Sequence, residues 1–297
     1  MAEALAQSPA VLVALALVLG LVIGSFLNVV IYRLPVMLDR QWRADCAELA
    51  ASQVAAPAAA FNLVVPRSTC PACHAPIKAL HNIPLLSYLA LRARCASCQA
   101  RISARYPAVE ALCGVLTALV VYRFGFGPDT ACAVLVTWFL IALTFIDLDH
   151  QLLPDSLTLP LLWLGLLASV AGWAPSAHSL PVGPANAIAG AALGYVSLWA
   201  VYHVFRLLTG KEGMGYGDFK LLAALGAWLG WHMLLPIVLL AALVGALTGI
   251  VLIALRRHQR GVPIPFGPFL AAAGWIVMMW GPQIVDRYLG LYGAPAG

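Results

Sequence analysis

Residues 130–150, TACAVLVTWFLIALTFIDLDH, form a nearly unbroken apolar run that ends in Asp147, Asp149 and His150. The run is long enough to cross a bilayer, because a spanning helix requires about 20 apolar residues. The whole chain contains only twelve acidic residues. A carboxylate at membrane depth costs enough free energy to be a functional candidate by default. The end of this run therefore indicates both a membrane fold and a place to look for chemistry.

The composition of the 297-residue chain is typical of a protein that crosses the membrane several times. Hydrophobic residues make up 62% of the chain and charged residues 10%, and the mean hydropathy is +0.90. We therefore predict an all-α polytopic membrane protein with about eight transmembrane helices, or seven if one short run is not a span. The predicted spans are 10–32, 106–122, 129–147, 157–173, 186–208, 219–231, 233–255 and 268–288.

The basic residues predict the orientation of these spans. Segments 33–105, 206–220 and 256–260 hold fifteen of the seventeen Lys and Arg residues. Cytoplasmic loops carry the excess of positive charge, so these segments are predicted to be cytoplasmic. Asp147 and Asp218 then emerge on the cytoplasmic side. The net charge of +5 is explained by this topology and by contact with anionic lipid, rather than by nucleic-acid binding.

The sequence divides into three predicted parts. Residues 1–32 form a retained first transmembrane helix, because Glu3 precedes the apolar run and no clear cleavage site follows it. Residues 33–105 form a small cytoplasmic insert, in which 44–60 show no pattern that demands a fixed structure. Residues 106–297 form the transmembrane core.

Two cysteine pairs in the insert have the spacing of a metal site. Cys70 and Cys73 form one C-x2-C pair, and Cys95 and Cys98 form a second pair after twenty-one intervening residues. Two such knuckles complete a tetrahedral Zn²⁺ site that has no open position, which favours a structural role over a catalytic one. The alternatives are two disulfides or two redox pairs, and disulfides are disfavoured in a reducing compartment.

A second acidic motif opens the apolar run at 219–231. It reads Gly-Met-Gly-Tyr-Gly-Asp-Phe-Lys over 213–220. No strand precedes it, so a phosphate-binding loop is disfavoured. Gly215 and Gly217 instead favour close approach of an extended peptide to Asp218. Lys220 is two positions from Asp218 on a helix and points elsewhere, so we predict a lipid-binding or structural role for it.

The acidic residues near the first motif have different predicted roles. Asp147 and Asp149 are two positions apart and point about 200° apart on a helix, so only one can face a given partner. Asp149 is predicted to be a solvated charge at the membrane interface. Asp155 follows Pro154 and is predicted to cap the next helix.

These motifs together resemble those of the type IV prepilin peptidases, which are bifunctional leader peptidases and N-methyltransferases of bacterial inner membranes. The resemblance covers nearly the whole chain. The motifs that carry it are 24–35, the cysteine pairs, 81–84, 146–155 and 213–220.

The resemblance implies a membrane aspartic protease of the Gly-x-Gly-Asp type. Asp147 and Asp218 would be its catalytic pair. The four cysteines would bind structural zinc, and S-adenosylmethionine would be the methyl donor. The implied substrates are prepilins or pseudopilins with a short basic leader, cut at the cytoplasmic face of the inner membrane. Gly215, Gly217, Asp149 and Lys220 are expected to support the pair.

Two other classes of function are weighed against the peptidase. A proton-coupled transporter could use Asp147 and Asp218 as a relay, but a relay favours ionisable groups near the midplane, and the two aspartates are predicted at one face. A non-catalytic scaffold of a secretion or pilus machine would use the insert for docking. The sequence does not indicate the oligomeric state or the site of methylation.

Overall fold

The computed structural model describes residues 8–50, 60–70, 72–77, 83–175, 182–255 and 264–291. This part of the chain is helical and contains isolated β-bridges but no strand. The first two residues of the 81–84 motif and the basic segment 256–260 lie outside it. The helices are α1 (Pro9–Leu49), α2 (Leu86–Ala90), α3 (Arg105–Phe124), α4 (Pro128–His150), α5 (Asp155–Ala171), α6 (Pro184–Thr209), α7 (Tyr216–Leu229), α8 (Leu234–Ala254) and α9 (Gly267–Leu291).

Helices occupy all eight segments that the sequence predicts to be spans, which confirms the all-α membrane fold. Six of them, α1, α3, α4, α6, α8 and α9, are long and apolar enough to cross a membrane. Helix α5 has 17 residues and α7 has 14. At 1.5 Å per residue these helices measure about 26 and 21 Å, less than the roughly 30 Å hydrocarbon core.

The first helix is longer than the predicted span 10–32, because α1 continues to Leu49. Hydropathy detects only the part of a helix that is compatible with lipid, whereas the polar residues that follow still favour helix. Arg43 pairs with Asp39 one turn earlier at 2.9 Å, which adds a few tenths of a kcal/mol to an exposed helix. The predicted insert therefore begins as a continuation of the first helix. The division into 1–32, 33–105 and 106–297 stays a prediction.

The chain folds into two compact units, Met1–Leu119 and Val120–Gly297. In the first unit, α1 and α3 cross where glycines allow close contact. A Cβ atom added at Gly20 would lie 2.8 Å from the Cα of Gly114, and one added at Gly24 would lie 2.8 Å from the Cα of Glu110. Small residues four positions apart are a common way for membrane helices to approach each other closely.

Two buried charged side chains attach irregular segments of the first unit to these helices. Arg33 of α1 donates hydrogen bonds to the carbonyl oxygens of Asn62 and Pro66, at 2.8 and 2.7 Å. Glu110 of α3 accepts a hydrogen bond from the backbone N–H of Leu85 at 2.9 Å. The two charged side chains thus satisfy backbone groups in the segment before the first cysteine pair and in the segment between the two pairs.

In the second unit, the short helix α7 is surrounded by protein. Ten of its 14 residues are buried. Its backbone touches that of α6 where Gly226 meets Gly190, and a Cβ atom on either glycine would overlap the other's carbonyl group. One turn further along α6, a Cβ atom at Gly194 would lie 2.7 Å from the carbonyl oxygen of Leu222. Helix α7 need not match the thickness of the hydrocarbon core, because most of its residues contact protein rather than lipid.

Two tryptophan side chains link the helices around α7. The indole N–H of Trp228 on α7 donates to the carbonyl oxygen of Leu161 on α5, at 2.8 Å. The indole N–H of Trp275 on α9 donates to the hydroxyl oxygen of Thr137 on α4, at 3.1 Å. Helix α9 also packs against α7. Helices α4, α5, α7 and α9 therefore form one connected group, and two of them carry the aspartates of the sequence motifs.

Candidate active site

Asp147 lies in the last turn of α4, where the helix ends. The following residue Gln151 has a left-handed conformation, with φ 51° and ψ 42°, and its N–H donates to the carbonyl oxygen of Asp147 at 2.9 Å. The Asp147 residue is only 5% exposed. Its carboxylate accepts a hydrogen bond from the backbone N–H of Gly267, the first residue of α9. A carboxylate so deeply buried is costly unless such donors satisfy it.

Asp218 occupies the first turn of α7 and is 7% exposed. Gly215 is the residue before the helix, and its backbone N–H donates to the Asp218 carboxylate. In return, the backbone N–H of Asp218 donates to the carbonyl oxygen of Gly215 at 3.2 Å. A side chain three positions into a helix that accepts the N–H of the capping residue is half of a capping box. The glycine motif thus holds this carboxylate at a helix N-terminus, where negative charge is stabilised.

The two carboxylates lie near each other, since the charge of Asp147 acts on the Asp218 carboxylate. Leu153 connects their surroundings. A Cβ atom added at Gly217 would lie 2.7 Å from the Cβ of Leu153, and one added at Gly267 would lie 3.1 Å from its Cδ1. The glycine beside Asp218 and the glycine against Asp147 therefore pack on the same leucine.

Gly267 is the residue of this site that the sequence reasoning missed. A Cβ atom at this position would lie 2.5 Å from Oδ2 of Asp147, so only glycine leaves room for the carboxylate. The local signal was a glycine followed by Pro268 at the start of an apolar run, which marks a helix start. Nothing in that signal connects the position with Asp147, which lies far earlier in the chain.

Lys220 and Asp155 form an ion pair that the sequence reasoning did not predict. The ammonium group of Lys220 donates to Oδ1 and Oδ2 of Asp155 at 2.6 and 2.8 Å. The prediction that Asp155 caps α5 is wrong, because Pro154 precedes the helix and Asp155 is its first residue, without a capping hydrogen bond. The negative charge of Asp155 in the first turn still interacts favourably with the dipole of α5. Asp149 is exposed, as expected for a charge at an interface.

The four cysteines of the two knuckles come together in the first unit. The sulfur atoms of Cys70, Cys73, Cys95 and Cys98 all lie within 4.8 Å of one another, and those of Cys70 and Cys98 are 3.8 Å apart. A tetrahedral site with Zn–S bonds of about 2.3 Å has sulfur-to-sulfur edges of about 3.8 Å. The spacing of the thiols therefore fits a single tetrahedral ion.

The two knuckles repeat the same backbone pattern. In the first, the N–H of Cys70 donates to the carbonyl oxygen of Ala75 at 3.0 Å, and in the second the N–H of Cys95 donates to that of Ala100 at 2.9 Å. His74 and Gln99 hold equivalent positions in the left-handed region, with φ 57° and 59°. Each knuckle is thus closed by its own hydrogen bonds.

Backbone N–H groups also prepare the thiols to bind a cation. Hydrogen bonds from the N–H groups of Cys98 and Ser97 lower the pKa of Cys95 to about 6. The N–H groups of Cys73 and Ala72 likewise lower the pKa of Cys70. The thiolate is the form that binds a metal ion.

One thiol of the group resists ionisation. A hydrogen bond from the backbone N–H of Ala100 lowers the pKa of Cys98. The neighbouring thiol of Cys73 and burial from solvent outweigh this effect and raise the pKa of Cys98 to about 11. Four thiolates that crowd together repel one another, and a divalent cation between them removes that repulsion. The cluster could hold a metal ion.

Two family descriptions match the chain. Residues 18–124 match the bacterial peptidase A24 N-terminal domain, and residues 134–250 match the type IV leader peptidase family. A prepilin leader peptidase/N-methyltransferase of Stutzerimonas stutzeri is 52% identical over 97% of each chain. The chain belongs to the type IV leader peptidase family. The match to the type IV leader peptidase family ends at residue 250, so Gly267, which contacts Asp147, lies outside the matched region.

Other relatives in the type IV leader peptidase family agree with this assignment. Proteins with the same description from Aeromonas salmonicida and Pseudomonas aeruginosa are 57% and 50% identical, over 91% and 96% of each chain. No solved structure matches the chain. The comparisons confirm that this multi-pass membrane protein is a leader peptidase and N-methyltransferase, and they favour the enzyme over the transporter and the scaffold.

Proposed function

We propose that Asp147 and Asp218 are the catalytic pair of this peptidase. The observation that carries the proposal is the convergence of two buried carboxylates from the end of α4 and the start of α7, close enough for their charges to interact. Each carboxylate is held by a backbone N–H group, that of Gly267 or of Gly215. Fixed donors of this kind set the position of a reacting group without requiring a further side chain.

The chemistry follows from one proton shared between two neighbouring carboxylates. Like charges at short distance do not both ionise cheaply, so the pair retains a proton over a wide pH range. The ionised aspartate accepts a proton from a water molecule that attacks the scissile carbonyl carbon. The protonated aspartate donates a hydrogen bond to the carbonyl oxygen and stabilises its developing charge.

The substrates we propose are prepilins or pseudopilins with a basic leader followed by an apolar helix. The relatives are described as prepilin leader peptidases and N-methyltransferases. Basic residues of such a leader stay in the cytoplasm while the apolar helix lies in the bilayer. We therefore place the scissile bond, and with it Asp147 and Asp218, at the cytoplasmic face of a bacterial inner membrane. Membrane lipid is the other expected partner.

We propose that the four-cysteine cluster holds a structural Zn²⁺ ion. Cys70, Cys73, Cys95 and Cys98 would be its ligands, and the soft thiolates favour zinc over harder cations. When bound, the ion supplies crosslinking and charge neutralisation in a segment too small for a large apolar core. It would take no part in peptide hydrolysis, because four protein ligands leave no position for water.

S-adenosylmethionine is the methyl donor that the description of the relatives implies. The described residues contain no strand, so they do not form a strand–turn–helix site of the nucleotide-binding type. We propose S-adenosylmethionine as the methyl donor because of family membership alone.

The experiment that tests the catalytic pair is cleavage of a prepilin by the purified enzyme in detergent or lipid. We expect Asp147→Asn and Asp218→Asn each to lower kcat by at least about 10³-fold, since removing one member leaves no shared proton. Asp149→Asn is the matched control, because Asp149 lies in the same helix turn but is exposed. It should retain activity within about twofold. Retention of cleavage in either of the first two variants would end the assignment.

A further inference from the structure

The ion pair between Asp155 and Lys220 joins the two segments that carry the proposed catalytic residues. Asp155 begins α5, directly after the short turn that follows Asp147 and α4. Lys220 is the fifth residue of α7, two residues after Asp218. Both carboxylate oxygens of Asp155 accept hydrogen bonds from the one ammonium group, at 2.6 and 2.8 Å.

A second contact joins the same two segments through apolar atoms. Leu153, two residues before Asp155, is buried and packs directly against the position of Gly217. A Cβ atom at Gly217 would lie 2.7 Å from the Cβ of Leu153. Two contacts on neighbouring residues restrict rotation of one segment against the other, which a single contact does not. Between these contacts lies Asp218, whose side chain points to a different side of α7 from that of Lys220.

The ion pair is accessible, and its energetic contribution to overall stability is therefore small. The Lys220 side chain is 27% exposed and that of Asp155 is 56% exposed. Exposed pairs are screened by water and salt. Helix α7 is in any case held by Gly190, by Gly194 and by the indole of Trp228. A role in holding the fold together is thus already served by buried contacts.

We propose that the Asp155–Lys220 pair is a positioning element, which fixes the start of α7 so that the Asp218 carboxylate lies at the correct distance from Asp147. Neither residue contacts the reacting atoms in this proposal. It rests on Asp147 and Asp218 being the catalytic pair, and it assigns to Lys220 a protein partner in place of lipid phosphate. Small displacements of a catalytic group lower kcat strongly, even when substrate binding is unchanged.

The test is a double-mutant cycle measured by prepilin cleavage, with kcat and KM determined separately. The variants are Asp155→Asn, Lys220→Met and the two combined, and all three remove charge while keeping similar volume. We expect each single variant to lower kcat roughly three- to tenfold, with KM within about twofold. The combined variant should be no worse than either single one, because both act through one contact. Lys220→Arg retains the charge and should recover most of the activity.

Matched controls separate positioning from stability and from the proposed dyad. Arg43→Met breaks another exposed ion pair, between Arg43 and Asp39 at 2.9 Å, and should leave kcat unchanged. The melting temperature of the cycle variants should fall no further than that of Arg43→Met. Asp147→Asn, assayed in parallel, should be inactive; if it is active, the dyad itself has failed, whatever the ion pair does.

Three results would overturn the positioning role. Wild-type kcat in both single variants would mean that the pair has no effect on the site. A loss in Lys220→Met without a loss in Asp155→Asn would mean that the lysine acts on substrate or lipid alone. A large fall in melting temperature that accounts for the lost activity would mean that the pair only stabilises the fold.

Discussion

The cysteine cluster and the aspartate pair are assembled in different ways. Each half of the cysteine cluster is a closed turn with its own backbone hydrogen bonds, and the two halves repeat one pattern at Cys70 and Cys95. The aspartate pair has no such repeat. Asp147 lies at the end of one helix, Asp218 at the start of another, and the donor to Asp147 comes from Gly267 on a third. The first site is local, whereas the second depends on packing of helices.

This difference determines what each site tolerates. A local knuckle would depend on its cysteines and on the proposed metal ion, so losing one cysteine should damage that site and leave the helices intact. The position of the aspartate pair depends on residues elsewhere in the helices, because glycines such as Gly190 and Gly226 decide how closely α6 and α7 approach. We therefore expect the cysteine site to fail through its ligands and the aspartate site through its packing.

Among the substitutions that compare the two sites, Cys73→Ser should have the largest effect. Loss of one of four thiolate ligands should lower zinc affinity on the order of 10²- to 10³-fold or more, because the remaining three leave the coordination incomplete. Elemental analysis of the purified wild-type protein should give about one zinc per chain, and the variant should retain much less after dialysis against a chelator. Cys46→Ser is the control, since Cys46 is exposed and outside the cluster. Equal zinc content in both variants would contradict the assignment of the ligands.

The next largest effect should come from Gly267→Ala. The added methyl group would lie 2.5 Å from Oδ2 of Asp147, so either the carboxylate or the start of α9 must move. We expect kcat for prepilin cleavage to fall roughly tenfold to a hundredfold, because the backbone N–H can no longer hold the carboxylate in place.

Gly183→Ala is the matched control for this substitution. Gly183 also stands at the start of a helix, α6, but a Cβ atom there would meet nothing within 4 Å. Its kcat should stay within about twofold of the wild-type value. If Gly267→Ala behaves in the same way, the contact between Gly267 and Asp147 does not matter for catalysis.

The two sites also show why one was easier to predict from the sequence. The cysteines of a local knuckle are neighbours in the chain, so C-x2-C spacing alone predicts that Cys70 and Cys73 lie close together. The convergence of Asp147 and Asp218 was predicted from their places at the ends of apolar runs and from the family resemblance. The sequence did not predict the role of Gly267, because that role depends on how closely α9 approaches Asp147 in space. The spacing of residues along the chain does not report such a distance. The partner of Lys220 was missed for the same reason.

Helix boundaries give a similar lesson from the fold. All eight predicted spans are helical, because long apolar runs are strong signals. Helix α1 nevertheless extends from its predicted end at residue 32 to Leu49, since hydropathy reports where lipid can lie and not where a helix stops. Asp155 was predicted to cap α5, but the ion pair with Lys220 takes its carboxylate instead. A tertiary contact outweighed a local preference in this case.

Gly226→Ala should weaken the packing of α7 against α6, and its effect should be somewhat smaller than that of Gly267→Ala. Its methyl group would overlap the carbonyl group of Gly190 on α6, so the two helices must separate. Overpacking of this kind costs about 1–3 kcal/mol of stability, and cleavage should fall because α7 carries Asp218. Gly249→Ala is the control, since its methyl group would meet only Ile264 at an ordinary 3.6 Å. Thermal unfolding in detergent should give a lower melting temperature for the first variant alone; equal values would mean that the α6–α7 contact is not tight.

The smallest effect should come from Trp228→Phe, which removes the hydrogen bond to the carbonyl oxygen of Leu161. The phenyl ring keeps most of the apolar contact, so the loss should be about 1 kcal/mol for the hydrogen bond plus a smaller contribution from the space left behind. Trp163→Phe on α5 is the matched control, because Trp163 is 62% exposed whereas Trp228 is 1% exposed. A lower melting temperature for Trp228→Phe, with kcat changed by less than about threefold, would show that α5 and α7 are held by several independent contacts. A loss of cleavage as large as that of Gly267→Ala would instead mean that the indole of Trp228 alone sets the position of Asp218. The aspartate pair would then depend on one local contact, as the cysteine cluster does, and not on the packing of several helices.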